Sequence, residues 1–358
     1  MTILHIDTGL KFRGGQRQIS LLIKHLAKYD IKQYLAAPKK SPLIDVCKNN
    51  IEGFFPIGES NLMRFLGRGS LRKFIRNRNI DIVHAHDSHS HTLMVSLRLG
   101  KNRPRFVVTR RSSNPISIGS RTKYLRHEIK FIAVCENVKN LLLQGGVDEN
   151  KVIRIPSMIE LEKYSSIATS ENKIANDHKF KIISAGAFDP SKGFITSIKA
   201  IELLVQKRRD FIYYIYGDGA VWNELKKYIK EKNLDDYIKC PGWVETPLDY
   251  WPGTDIYVSP SHNEGINGSL VEASACGICP VVTDIPSHRE IVIEGETGML
   301  FPIEDFEKLA DQLNALMSQP ELRQRISNRL KNNAVQYDAK VVTGQIFDLY
   351  RQLVAPSK

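Results

Sequence analysis

What constrains this chain most is a rhythm that plays twice along it: short β-branched apolar runs separated by amphipathic stretches of helical period. In the first half ILHID (3–7), QYLAAP (33–38), DIVHA (81–85), RFVVT (105–109), FIAVC (131–135) and KVIRIP (151–156) read as strands. Residues 165–180, SSIATSENKIANDHKF, are polar and nearly without bulky apolar side chains, and read as a linker. The alternation then restarts with KIISAGA, FIYYIYG, DYIKCPG, DIYVSP and CPVVTD, with helices near 192–206, 219–231 and 305–317. Strands spaced by helices pair in parallel through crossovers, so the expected class is α/β with two doubly wound, Rossmann-like domains. The predicted boundaries are 1–165 and 166–335. A helical segment within 336–358, AKVVTGQIFDLYRQLV, is expected to pack back on the first domain. With 358 residues, each domain is large enough to bury its own core.

Composition excludes some classes. With 42% hydrophobic and 25% charged residues the chain is an ordinary globular one, not a disordered one. No apolar run approaches bilayer length, and MTILHID opens into a strand pattern rather than a leader, so the expected location is cytoplasmic. Five cysteines give no disulfide framework. Cys276 and Cys279 form a CxxC without thioredoxin-like flanks, and read as small buried side chains at a helix-to-strand turn. Charge is unevenly shared: residues 1–165 hold 29 Lys and Arg against 13 Asp and Glu, a net of +16, while the remainder nets −4. The first half should therefore meet something anionic.

In open parallel sheets, ligands sit where strand carboxyl ends meet helix N-termini. After the first strand, FRGGQRQ places Gly14 and Gly15 before a helix, as either a flexible turn or a backbone that lets a phosphate or sugar come close. Arg13 adds a cation there. HAHDSHSHT gathers His84, His86, His89 and His91. It reads as a hydrogen-bonded cluster, as a zinc site with Asp87 as the local carboxylate, or as a substrate contact from one histidine. TRRSSNP brings Arg110 and Arg111 to the same edge, suited to phosphate or carboxylate or simply solvated. In the second half Lys192 opens a helix, where it opposes the dipole unless an anion joins it. Gly217 and Gly219, in YGDGAVWNEL, permit close approach of a flat ring. SHNEGINGSLVEASACG carries Glu264 on a glycine-bearing loop and Glu272 in a helix that begins near Ser269 and stops at Gly277.

Taken in order, these stretches resemble the retaining family-4 glycosyltransferases of the GT-B fold. The likeness rests on E-x7-E at Glu264 and Glu272 with the trailing ACGICPVVTD. FRGGQRQ, DIVHAHDSH, the crossing IAVCENVKNLLLQGGVDENKVIRIPSMIELEKY, SKG at 191–193 and YGDGAVWNEL support it. The resemblance implies two Rossmann-like domains facing across a cleft, and transfer of a sugar from a nucleotide-diphosphate sugar (UDP-, GDP- or ADP-linked) by front-face displacement. It implies that Glu264 meets the donor sugar's hydroxyls and that Glu272 accepts from the ribose. Amides from Asn267 through Gly268, Ser269 and Leu270 would meet sugar and diphosphate. Gly14, Gly15, Lys192 and Gly217 would border the donor, and His86 would sit at the reacting face. No cofactor beyond the co-substrate and no metal is implied, and Asp235-Asp236 before a strand reads as surface.

There is one departure. Many relatives carry an arginine five residues before the SKG lysine, and this chain has Ala187. Either Arg13 or Arg110 supplies that charge or turnover is slow, so a catalytically silent sugar-nucleotide binder is the main alternative. A nucleotide-dependent oxidoreductase lacks its G-x-G-x-x-G in both halves, and no nucleic-acid reader module accompanies the basic charge. The basic amphipathic stretches 61–79 and 119–131 read either as core-facing helices with a solvated basic side or as surfaces for an anionic membrane's inner face and a lipid-linked or lipopolysaccharide-type acceptor.

Overall fold

The computed structural model describes all residues except 100–103, 127, 170–178, 245–246 and 356–358. It forms two compact units, residues 1–158 with 339–358, and residues 159–338.

The first unit is built on a seven-stranded, all-parallel sheet: β1 Thr2–Ile6, β2 Lys32–Pro38, β3 Gly53–Ile57, β4 Ile82–Ala85, β5 Arg105–Arg110, β6 Ile129–Ala133 and β7 Val152–Arg154, in the order β3-β2-β1-β4-β5-β6-β7. The second unit repeats the scheme with β8 Phe180–Ala185, β9 Phe211–Tyr216, β10 Ile238–Gly242, β11 Ile256–Ser259, β12 Cys279–Thr283 and β13 Met299–Phe301, in the order β10-β9-β8-β11-β12-β13. In each unit the winding reverses beside the first strand, between β1 and β4 and between β8 and β11. Crossovers on either side of that reversal lie on opposite faces of the sheet, which leaves a crevice at the carboxyl ends.

The central strands are buried on both faces, which is why they appear as near-continuous apolar runs. Two strands escaped the sequence reading, and both are edges. β3 alternates between half-buried and exposed and contains Pro56, which a central strand would not tolerate. β13 has three residues. The expected linker is also corrected in part. Leu161–Thr169 is a helix that buries Tyr164 in the second unit's core beside Trp251 and Tyr257, while 170–178 lie outside the described residues.

The C-terminal helix Ala339–Val354 belongs to the first unit. Val342, Ile346, Leu349 and Tyr350 recur at helical spacing and pack with Leu22, Leu26, Ile155 and Met158. Phe347 stacks on Tyr29 with ring centroids 4.1 Å apart. Among the described residues no helix is long and apolar enough to cross a membrane.

Candidate functional site

In the second unit the reversal of winding brings together the loops that follow β8 and β11. Gly193 makes their approach possible: at φ +62° it takes a left-handed conformation, and a Cβ there would stand 2.2 Å from the Pro260 carbonyl oxygen. The His262 amide donates to the Ser191 carbonyl at 2.8 Å across the same junction. The helix expected from about 192 is therefore a 3₁₀ turn over Pro190–Lys192 followed by a helix from Phe194 to Lys207. The turn sends Lys192 Nζ to Glu264 Oε1 at 2.6 Å, and the Ser261 hydroxyl donates to the same oxygen at 2.8 Å. The anion that the sequence required beside Lys192 is thus the Glu264 carboxylate, which is itself buried.

Beyond this pair the helix Gly268–Cys276 starts at Asn267 and stops at Gly277, whose φ of +69° closes it. The Asn267 side chain is fully engaged. Its Oδ1 accepts from the Leu270 amide at 3.0 Å, and its Nδ2 donates to Ser259 Oγ at 2.8 Å and to His288 Nε2 at 3.1 Å. Burial holds His288 at about 4, and its Nδ1 donates to the Thr283 carbonyl, so Nε2 is the bare acceptor that the Asn267 amide requires. This changes one expectation: the Leu270 amide is already taken by the Asn267 side chain, which serves as the N-cap. The Gly268 and Ser269 amides, in the first turn, have no helical carbonyl to meet and suit an anion. One turn on, Glu272 is buried against an aromatic wall, with Trp251 Nε1 donating to its Oε2 at 3.3 Å. Gly217, expected beneath a flat ring, meets the unit's own backbone: at φ +147° a Cβ would lie 1.8 Å from the Gly186 carbonyl oxygen. Ala187 is exposed on the loop after β8.

In the first unit the same edge carries a polar cluster. His84 and His86 project from β4 to one side, with ring centroids 4.0 Å apart, and the β1–β4 register sets His5 opposite His84. His84 is held by the Tyr350 hydroxyl at 2.5 Å and Thr109 Oγ1 at 2.7 Å. His91 lies apart, packed edge-on to Tyr124 and Phe131, and His89 is exposed, so a four-histidine site is ruled out. The three buried histidines, His5, His84 and His86, do present nitrogens within 4.8 Å of one another. Asp7, Gln16 and Asp87 complete the edge. Gln16 Nε2 donates to Asp7 while its Oε1 accepts from the Arg13 amide, which ties the Gly14–Leu26 helix to β1. Cβ atoms at Gly14 and Gly15 would meet nothing within 4 Å, so that helix start is open. Arg110 is buried and committed to the Tyr124 hydroxyl and the Asn114 carbonyl, whereas Arg111 donates to the His86 carbonyl at 2.9 Å. Neither is a simple surface arginine. Sequence reading missed His5, Asp7, Gln16 and Ser261, since only strand order and loop closure bring them to these edges.

Burial, and secondarily the Asp87 charge, push the Asp7 carboxyl up to about 6. A carboxyl raised by folding is disfavoured in its ionised form, so the native state loses stability as pH rises from the ordinary value of 3.8 through 6, and the loss is constant above that. Asp7→Asn should therefore raise stability above pH 6, by at most about 3 kcal/mol, and much less near pH 4. Melting of both proteins across pH 4–8 checks this; equal differences at both ends would contradict it.

The CxxC thiols are both buried, and burial pushes Cys279 up to about 12 and Cys276 higher still, as inert core cysteines require. The basic stretch 61–79 forms two helices. Arg68–Asn77 buries Leu71 and Ile75 and turns its basic face outward, whereas Asn61–Leu66 leaves Leu62, Met63, Phe65 and Leu66 each more than half exposed.

The family described as "Glycosyltransferase Family 4" matches residues 12–163, and "Glycosyl transferases group 1" matches 166–333. An N-acetylgalactosamine-N,N'-diacetylbacillosaminyl-diphospho-undecaprenol 4-alpha-N-acetylgalactosaminyltransferase of Campylobacter jejuni is 24% identical, over 91% of this chain and 92% of that protein. A glycosyltransferase structure from Rickettsia africae superposes with a TM-score of 0.86 at 18% identity, covering 99% of each chain. Anabaena HepE in complex with UDP-glucose superposes at 0.82 with 16% identity, over 98% of this chain and 100% of that one.

Proposed function

We propose, for a chain that belongs to the GT-B glycosyltransferases built of a family 4 and a group 1 domain, that it is a retaining enzyme moving a sugar from a nucleotide-diphosphate sugar to a hydroxyl of a lipid-linked glycan. The observation that carries this reading is the second unit's convergence of Lys192, Glu264, the open Gly268–Ser269 amides and Glu272 at the reversal of winding. The diphosphate lies on the Gly268 and Ser269 amides, where the helix dipole favours it. Glu272 accepts from the two ribose hydroxyls, a vicinal pair suited to one carboxylate. Glu264 accepts from the sugar's hydroxyls. Its ion pair with Lys192 places an ammonium where leaving-group charge develops. The bond to the diphosphate breaks first, an oxocarbenium-like sugar forms, and the acceptor hydroxyl enters on the same face while a phosphate oxygen takes its proton. HepE's complex with UDP-glucose supports a UDP-linked donor, and the undecaprenol-linked substrate in the Campylobacter protein's name supports the acceptor class.

Incubating the protein with nucleotide-sugars and extracted lipid-linked glycans tests this. Acceptor-dependent release of nucleoside diphosphate and a product of unchanged anomeric configuration are expected; an inverted product would refute the retaining mechanism. A second reading, a donor binder with little turnover, is favoured by Ala187 and by the commitment of Lys192 to Glu264. Saturable donor binding without transfer to any acceptor would decide for it.

The exposed Leu62, Met63, Phe65 and Leu66, followed by Arg68, Arg72, Lys73 and Arg76, suit an anionic lipid surface, apolar side down. The protein should float with anionic vesicles at low salt, and Phe65→Asp with Leu66→Asp should abolish flotation. Equal flotation with neutral vesicles would contradict the basic contribution.

A further inference from the structure

We propose that Gln33 and His5 act as positioning residues that lock His86 into one tautomer, leaving its Nδ1 as a bare lone pair that accepts from a sugar hydroxyl. The part concerning the hydroxyl rests on the glycosyltransferase reading; the part concerning the tautomer does not.

The chain of donors and acceptors leaves one solution. Gln33 is buried, and its Nε2 donates to the Ile23 carbonyl at 2.9 Å and the Asn50 carbonyl at 3.3 Å. Its amide orientation is thereby fixed, and Oε1 faces His5 Nε2 at 3.2 Å. An amide oxygen only accepts, so His5 Nε2 carries the proton. Burial holds His5 at about 4, well below its usual 6.5, so the ring has a single proton and Nδ1 is bare. His86 Nε2 lies 3.0 Å from that Nδ1 and must donate to it. Burial first, then the neighbouring His84, His5 and Arg111, hold His86 well below its usual value too, so its Nδ1 is also bare. That nitrogen is buried and has no partner among the described residues.

A buried acceptor without a partner carries the full cost of its lost hydration. A ligand that fills it must bring a hydrogen. A phosphate oxygen has none to give, so His86 cannot read the diphosphate, whereas a sugar hydroxyl can meet it. The same bookkeeping disfavours a metal ion on His5, His84 and His86. The facing nitrogens of His5 and His86 already share a proton, and both nitrogens of His84 are held.

Long-range proton–nitrogen correlation on the full chain labelled at histidine reads the tautomer directly, with His86 assigned by its loss in His86→Gln. Unliganded wild type should show His86 protonated at Nε2 alone. Protonation at Nδ1, or stoichiometric zinc in the purified protein, would overturn the proposal. Gln33→Leu should convert the single His86 tautomer to a mixture and lower kcat/KM about tenfold or more. A wholly structural role for Gln33 would leave the tautomer unmoved in every folded variant. UDP-glucose, GDP-glucose and ADP-glucose, each paired with its bare diphosphate, and separately the extracted lipid-linked glycan, give the second arm. A shift of His86 Nδ1 with a nucleotide-sugar assigns the hydroxyl to the donor, and a shift with the glycan alone assigns it to the acceptor. A shift with the bare diphosphate, or with none of them despite calorimetric binding, would refute the hydroxyl contact. Absence of calorimetric binding throughout would instead sink the glycosyltransferase reading, and the hydroxyl contact with it, while leaving the tautomer result standing.

Discussion

Glu264→Gln should lower kcat/KM for sugar transfer by about 10²–10³-fold, equivalent to roughly 3–4 kcal/mol of transition-state stabilisation, with little change in melting temperature. The amide keeps the carboxylate's shape and still accepts from Lys192 and Ser261, so the loops after β8 and β11 have no reason to part. What is lost is the negative charge that holds the ammonium and the second acceptor needed by a sugar diol. Lys192→Ala should cost a similar factor. Because both residues act through one contact, the double variant should be hardly worse than either single one. Steady-state kinetics with urea denaturation of the three proteins checks this. Independent, multiplying losses would show that Lys192 and Glu264 work separately, and a Glu264→Gln enzyme within threefold of wild type would remove Glu264 from the chemistry.

Gly217→Ala should destabilise the second unit by on the order of 4 kcal/mol or more, a large part of what a domain of this size commands. The added Cβ would sit 1.8 Å from the Gly186 carbonyl oxygen and 3.0 Å from its carbon. Both belong to backbone that continues from β8 and is paired: the Gly186 amide bonds to the Tyr216 carbonyl and the Gly217 amide to the Gly242 carbonyl. Neither strand can retreat without breaking the ladder, and φ +147° is itself foreign to alanine. Gly14→Ala is the matched control. Its Cβ meets nothing within 4 Å and the residue is helical, so stability should hold or rise by about 0.5–1 kcal/mol. Equal melting of the two variants would mean that the contact at Gly217 is not what the backbone enforces.

The sequence made the central strands legible because burial on both faces leaves a near-continuous apolar signal, as in β4 and β12. β3 and β13 failed for the opposite reason: edges need little apolar surface, and Pro56 speaks against a strand anywhere else. The helix over Gly268–Cys276 was legible from its ends, because Gly277 had to adopt a left-handed conformation to close it. The Lys192–Glu264 contact was not. Lys192 could be marked as waiting for an anion, but its meeting with Glu264 depends on a left-handed Gly193 and on β8 lying beside β11, which no local pattern encodes. His5 was invisible likewise, as one residue in an apolar strand whose register alone sets it against His84. The Asn267 side chain was illegible in a further way: it caps the helix and holds Ser259 and His288, partners that only the meeting of separate loops supplies.

Sugar transfer of the kind proposed requires the second unit to hold a nucleotide-sugar by its pentose. Isothermal titration of the whole chain with UDP-, GDP- and ADP-glucose measures this most directly. One nucleotide class should bind saturably at one site, and Glu272→Ala, still folded at the titration temperature, should weaken it by about 30-fold, or roughly 2 kcal/mol. Binding of no member of the panel, or undiminished binding by the folded Glu272→Ala protein, would contradict it.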